Sequence, residues 1–131
     1  MVVDLPSCPA AATVAAQKKS QCTIVVVEPE LLSFECARSS IEACKSIGTR
    51  HIGVVVVNKG TLSSPPSLSE IRARFCCPVL GIVPPAADAC LAAQKSGQPL
   101  VISQPDTLPA IKLAELAEGF AAERIFPLAF R

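Results

Sequence analysis

Three short runs limit what this chain can fold into: "CTIVVVEPE" (Cys22 to Glu30), "HIGVVVVNKG" (His51 to Gly60) and "CPVLGIVPP" (Cys77 to Pro85). Each is rich in Val and Ile at consecutive rather than alternating positions, and each ends in a Pro or in Asn-Lys-Gly. A strand with one wet face alternates apolar and polar residues. A run that is apolar on both faces fits a parallel sheet covered on two sides. Helix-like segments lie between the runs. Ala10 to Lys19 is Ala-rich. Glu30 to Ile47 repeats Leu32, Cys36, Ala43 and Ile47 near the 3.6 period, with Ser39 or Ser40 on the same stripe and Gly48 as its stop. Ser67 followed by Glu70 is a capping box that opens a short helix carrying Leu68, Ile71 and Phe75. Ala86 to Ser96 is a helix stopped by Gly97. Thr107 to Ala122 is the last, with Leu113, Leu116, Ala117 and Phe120 expected to face inward. "TLSSPPS" reads as a loop, "PLVI" (Pro99 to Ile102) as a short extended piece, and Val2-Val3-Asp4 as the end of a further strand.

The alternation predicts an α/β fold, a mostly parallel sheet with helices on both faces and right-handed crossovers. At 131 residues it is one domain, large enough to bury a core. Half of the residues are hydrophobic and 18% are charged, which excludes a disordered chain. A net charge of +1 and the absence of Trp and Tyr argue against a nucleic-acid binder built on phosphate neutralisation or base stacking. The seven cysteines form no C-x-x-C and read as small buried hydrophobes of a reducing, cytoplasmic compartment. His51 is the only histidine and makes no metal site alone. Lys18 and Lys19 read as a solvated pair at a helix end. No apolar run approaches the roughly 20 residues that cross a bilayer.

Ligands of parallel sheets bind beyond the carboxyl ends of the strands. That selects Asp4, Glu28, Asn58-Lys59-Gly60 and Pro84-Pro85. An acid such as Asp4 at a strand end can hold magnesium through water, or can cap a turn. The Asn58 amide can pair with a base edge through its donor and acceptor, or can begin a loop. Neither G-x-x-x-x-G-K-[ST] nor G-x-G-x-x-G occurs, so the chain carries no recognisable phosphate cradle.

The order "VVDLP", "CTIVVVEPELLSFECARSSIEACKSIG", "HIGVVVVNKG", "CPVLGIVPPAADACLAAQKSGQPLV" and "PAIKLAELAEGF" resembles the C-terminal half of the MinD/ParA-type P-loop ATPases, a group that includes CpaE/TadZ and CooC-like proteins. The resemblance covers residues 1–122 and leaves 123–131 as an apolar tail. It implies a partial P-loop NTPase-like (Rossmann-like) domain. Asp4, with Pro6 in the turn, matches the Walker B and switch position and so a Mg2+ contact. Asn58 matches the adenine-recognising Asn, with Lys59 beside it. Gly81-Ile82-Val83-Pro84, followed by Pro85, matches the strand end beside the base. The acid that commonly follows that Pro is replaced by Pro85-Ala86-Ala87, with Asp88 only later. Gly97 to Val101 matches the segment before the last helix.

The resemblance also implies ATP or ADP with Mg2+ as ligand, bound weakly or not at all by this chain alone. The deviant Walker A half is expected to precede the chain and to be absent from it, so no catalytic residue is assigned. Two functions follow. The chain is a fragment or degenerate form of such an ATPase, acting in cellular positioning, partitioning, pilus assembly or metallocentre maturation. Or it is a non-catalytic dimerisation or scaffold module with the same fold. The expected partner is a second copy or a protein bearing the missing half. The tail "RIFPLAFR" is expected to pack on the domain rather than touch a membrane, because Pro127 breaks a helix. An unrelated flavodoxin-like or receiver-like domain would need a cluster of acids near the start, where only Asp4 stands.

Overall fold

The computed structural model describes residues 1–6, 10–60, 66–122 and 124–126. The three apolar runs form a parallel sheet of β1 (Cys22–Val27), β2 (His51–Val57) and β3 (Val79–Val83), in the order β1-β2-β3. The strongest β sequence takes the central place. Val54 and Val56 of β2 have no exposed surface. β1 meets β2 in unbroken register from Cys22↔His51 to Val27↔Val56. β3 carries a bulge, because Val54 faces Val79 while Val55 faces Gly81, which leaves Leu80 unpaired between them.

One face of the sheet presents Val25, Val27, Ile52, Val54, Val56, Val79 and Ile82. It is covered by α2 (Leu31–Ser46) and α3 (Leu68–Arg74). α2 buries Phe34, Ala37, Ile41 and Cys44, not the expected stripe. Leu32 is 75% exposed, Cys36 and Ala43 are exposed, and Ile47 is half-buried. Two apolar stripes share this helix, and helical spacing alone does not rank them. The stripe with the larger side chains, Phe34 and Ile41, fills the space above β1 and β2 and wins. α2 then stops as expected at Gly48 (φ 85°), whose N–H donates to the Lys45 carbonyl while the Thr49 N–H reaches the Cys44 carbonyl. These two bonds form a Schellman cap.

The capping box of α3 is present in full. Ser67 Oγ accepts the Glu70 N–H at 3.3 Å, and Glu70 Oε2 accepts the Ser67 N–H at 2.7 Å. Ile71 and Phe75 are buried as expected, whereas Leu68 is 41% exposed. The Ser67 hydrogen bonds hold the Glu70 carboxyl below its ordinary value. A depressed carboxylate stabilises the fold above its unfolded pKa, and that stabilisation is lost as pH falls through the folded one. Ser67→Ala also removes the side-chain acceptor of the Glu70 N–H, a cap worth about 1 kcal/mol, so it should destabilise at every pH, with the loss narrowing but not vanishing as pH falls through the folded carboxyl pKa. Urea titrations at two pH values check this.

The opposite face is covered unevenly. α6 (Leu108–Ala121) packs on β3, where Leu116 lies against Gly81. Phe126 is buried between the rings of His51 (5.3 Å) and Phe120 (6.2 Å). Of the four residues expected to face inward, Leu116 and Phe120 are half-buried, while Leu113 and Ala117 are exposed. The buried α6 positions are Pro109, Ala110 and Gly119, small residues that allow close approach. α1 (Ala11–Lys19) and α4 (Ala87–Ser96) appear where expected, and Gly97 (φ 67°) ends α4.

"PLVI" is not extended. Leu100–Ser103 form a helical turn, α5, whose amides bond back to the Pro99 and Leu100 carbonyls. Its backbone closes its hydrogen bonds locally. Residues 1–6 form no strand either. Val2 is 98% exposed, and among the described residues the sheet has three strands, none of which pairs with this segment. The expected loop at 61–65 and the tail at 127–131 lie outside the described residues. Among the described cysteines only Cys44 is buried, while Cys36, Cys76 and Cys90 are exposed, which corrects the expectation of buried thiols. Desolvation pushes the thiols of Cys22, Cys44 and Cys77 up, keeping them protonated and unreactive. No helix among the described residues is long and apolar enough to cross a membrane.

Candidate functional site

Parallel strands deliver their carboxyl ends to one edge, and here three loops meet there. After β1 the chain turns through Glu28-Pro29-Glu30 into α2, pinned by a hydrogen bond from the Glu28 N–H to Ser33 Oγ at 3.0 Å. After β2 comes Asn58-Lys59-Gly60. After β3 come Pro84 and Pro85. The Asn58 N–H donates to the Val83 carbonyl at 2.9 Å, which extends the ladder by one bond and sets the second and third loops side by side. Gly60 (φ 77°) faces Pro85 so closely that a Cβ there would lie 3.3 Å from the proline ring. Gly is needed at this position for both its backbone angle and its lack of side chain.

Asn58 does begin a turn, since its Oδ1 accepts the Gly60 N–H at 2.8 Å. That bond orients the side chain without using its amide nitrogen, which makes no hydrogen bond among the described residues. The turn role and a ligand role are thus compatible. Lys59 reaches across to Glu28, Nζ to Oε1 at 2.5 Å. This hydrogen bond, reinforced by the charge of Glu28, pushes the exposed ammonium above its ordinary value. The pair ties the first loop to the second. It also occupies Lys59, which is therefore not a free phosphate cation. Pro84 is half-buried and Pro85 exposed, and together they form a stiff apolar shelf beside Asn58.

Asp4 is not brought to this group. It is exposed, in a segment without regular structure, and makes no hydrogen bond or ion pair among the described residues. No three His, Cys, Asp or Glu side chains gather into a metal site among those residues. A single carboxylate does not make a magnesium site, which needs an octahedral shell of waters and phosphate oxygens. The residues present do not by themselves fit a resident Mg2+. The convergent groups instead offer an oriented amide, a flat apolar shelf and exposed backbone, which suit a planar heterocycle better than a phosphate. Sequence reasoning named Glu28 only as a strand end and missed its pairing with Lys59. The two lie far apart in sequence and meet only because β1 and β2 are neighbours.

No protein-family model matches the chain. It is 32% identical over 117 residues to an uncharacterized ATP-binding protein of Methanocaldococcus jannaschii, an alignment that spans 89% of this chain and 44% of that protein. Its fold matches the cell division ATPase MinD of Pyrococcus furiosus with a TM-score of 0.75 at 20% identity, covering 88% of this chain and 49% of the other. The septum site-determining protein MinD of Pyrococcus horikoshii, solved with Mg-ADP, matches at 0.74 and 20% identity, over 86% and 47%. A ParA family ATPase of Chlorobium tepidum matches at 0.72 and 20% identity, over 83% and 45%. The chain thus spans about half the length of the proteins it matches. Its parallel α/β fold is that of the MinD/ParA-type P-loop ATPases, and its length and motifs fit the C-terminal half of one.

Proposed function

We propose that this chain supplies the base-binding side of a MinD/ParA-type nucleotide site, which a phosphate-binding half outside these residues completes. The observation that supports this reading is the meeting of Asn58-Lys59-Gly60 with Pro84-Pro85, held by the Asn58 to Val83 hydrogen bond. ATP or ADP is the ligand, its adenine edge on the Asn58 amide and its ring on the proline shelf. Mg2+ would come with the nucleotide's phosphates rather than from a site on this chain, since Asp4 stands apart from the Asn58 loops. Alone the chain hydrolyses ATP hardly at all, because phosphoryl transfer depends on the electrostatic cradle that it lacks. The working assembly is cytoplasmic, either with a protein bearing the missing half or with a second copy. It acts in positioning, partitioning, pilus assembly or metallocentre maturation.

The non-catalytic scaffold reading has its own observation. On the face that α6 leaves uncovered, Ile24 and Val26 of the edge strand β1 are 39% and 65% exposed, which is where a partner would bind. Calorimetric titration of ATP-Mg into the purified chain separates the two. Binding in the micromolar to millimolar range, weakened about tenfold or more by Asn58→Ala, supports the half-site. No heat from either protein leaves the scaffold, and sedimentation then gives its oligomeric state.

A further inference from the structure

Lys59, the cation next to Asn58 in the chain, is already committed. Its Nζ lies 2.5 Å from Glu28 Oε1, and the Glu28 N–H is in turn fixed to α2 through Ser33 Oγ. The helices that follow the three strands start toward this same carboxyl edge. A helix amino end attracts phosphate through its partial positive charge and free N–H groups. Here each one carries an acid. Glu30 stands at the N-cap of α2, Glu70 lies in the first turn of α3, and Asp88 lies in the first turn of α4.

The positive features of the edge are thus answered by carboxylates, while the Asn58 amide and the proline shelf stay open. A planar base can use the amide and the shelf without any counter-charge. A phosphate beside it would find Glu28 and Glu30 next to an occupied ammonium, and like charges repel even at a wet surface. The side chains of Lys59 and Glu28 are 62% and 37% exposed. Such a pair is weak enough for one substitution to open it.

We infer, building on the reading of the Asn58 loops as a base site, that this edge selects the adenine nucleoside without preference for its phosphates, and that Glu28 sets this selectivity by holding Lys59. Glu28 acts through Lys59 and is a positioning residue.

The test is titration of adenosine, AMP and ATP, without metal and at low salt, into the 15N-labelled chain, followed by the Asn58 side-chain and Gly60 amide shifts. The parent should bind all three within about threefold of one another, and Asn58→Ala should weaken all three alike. Glu28→Gln keeps the shape of the side chain but releases Lys59. It should tighten ATP over adenosine by about threefold or more. That gain should vanish in Glu28→Gln/Lys59→Met and at about 0.5 M salt, where exposed charges are screened. A merely structural role for Glu28 would change all three affinities together and leave their ratio fixed. Glu35→Gln makes the same charge change on the exposed surface of α2 and should leave the parent ratio unaltered. An equal shift in Glu35→Gln, an unmoved ratio in Glu28→Gln, or a parent that binds ATP about tenfold or more tighter than adenosine overturns the inference and leaves the base site standing. Binding of none of the three overturns both.

Discussion

Phe34→Ala should lower the unfolding free energy by about 3–5 kcal/mol, the range for emptying a buried aromatic position. Phe34 is 2% exposed and sits where α2 meets α3 above the sheet. Its ring stands edge-on to Phe75 at 5.6 Å and 83°, with the Arg74 guanidinium 5.3 Å from its centroid. Truncation removes the aromatic pair and the cation contact, and it opens a void that the stiff β1 and β2 backbones cannot collapse to fill. Phe34→Leu keeps most of the volume and should cost less than half as much. Urea midpoints followed by circular dichroism measure both. A loss below about 1 kcal/mol for Phe34→Ala, outside that range, would mean that α2 does not seat on the sheet through this residue. The expected Leu32/Cys36/Ala43 stripe would then deserve a second trial by Leu32→Ala, which the observed packing makes nearly neutral.

The second large effect comes from adding atoms. A Cβ at Gly53 would lie 2.6 Å from Leu80 Cδ1 and 2.8 Å from Leu80 Cγ. Leu80 is the bulged residue of β3, so its side chain leans over the central strand where a regular ladder would not place it. Gly53→Ala should destabilise by about 1–3 kcal/mol through overpacking. Helix and strand propensities alone would favour the substitution. The contact is made with a side chain rather than with backbone, so trimming that side chain should relieve it. In Gly53→Ala/Leu80→Ala the two losses should be less than additive by about 0.5 kcal/mol or more, the coupling typical of touching residues. Strictly additive losses would sink this account and point to backbone strain in β2.

Much of the architecture was legible because its signals are local. Consecutive β-branched residues need two covered faces, so "HIGVVVV" had to be central. Ser67 with Glu70, and Gly48 and Gly97, carry their hydrogen-bonding and backbone requirements in their own chemistry. The same holds for Asn58 and Pro84-Pro85 as strand-end residues. Other features were not local. Nothing in "PLVI" says whether it pairs with a strand edge or coils, and it coils. Nothing in α2 says which of two apolar stripes has the better-shaped partner. Val2-Val3-Asp4 has the composition of a strand but pairs with none of the three described strands.

By itself, then, the sequence determined the three strands and the longer helices, the parallel α/β class, the caps of α2, α3 and α4 and the strand-end candidates Asn58 and Pro84-Pro85, since each follows from short-range propensity and periodicity. Only the tertiary structure decided which faces are buried, that Glu28 answers Lys59 across two strands, and that Asp4 stands apart from Asn58. Those are relations between residues distant in the chain, and only packing brings them together.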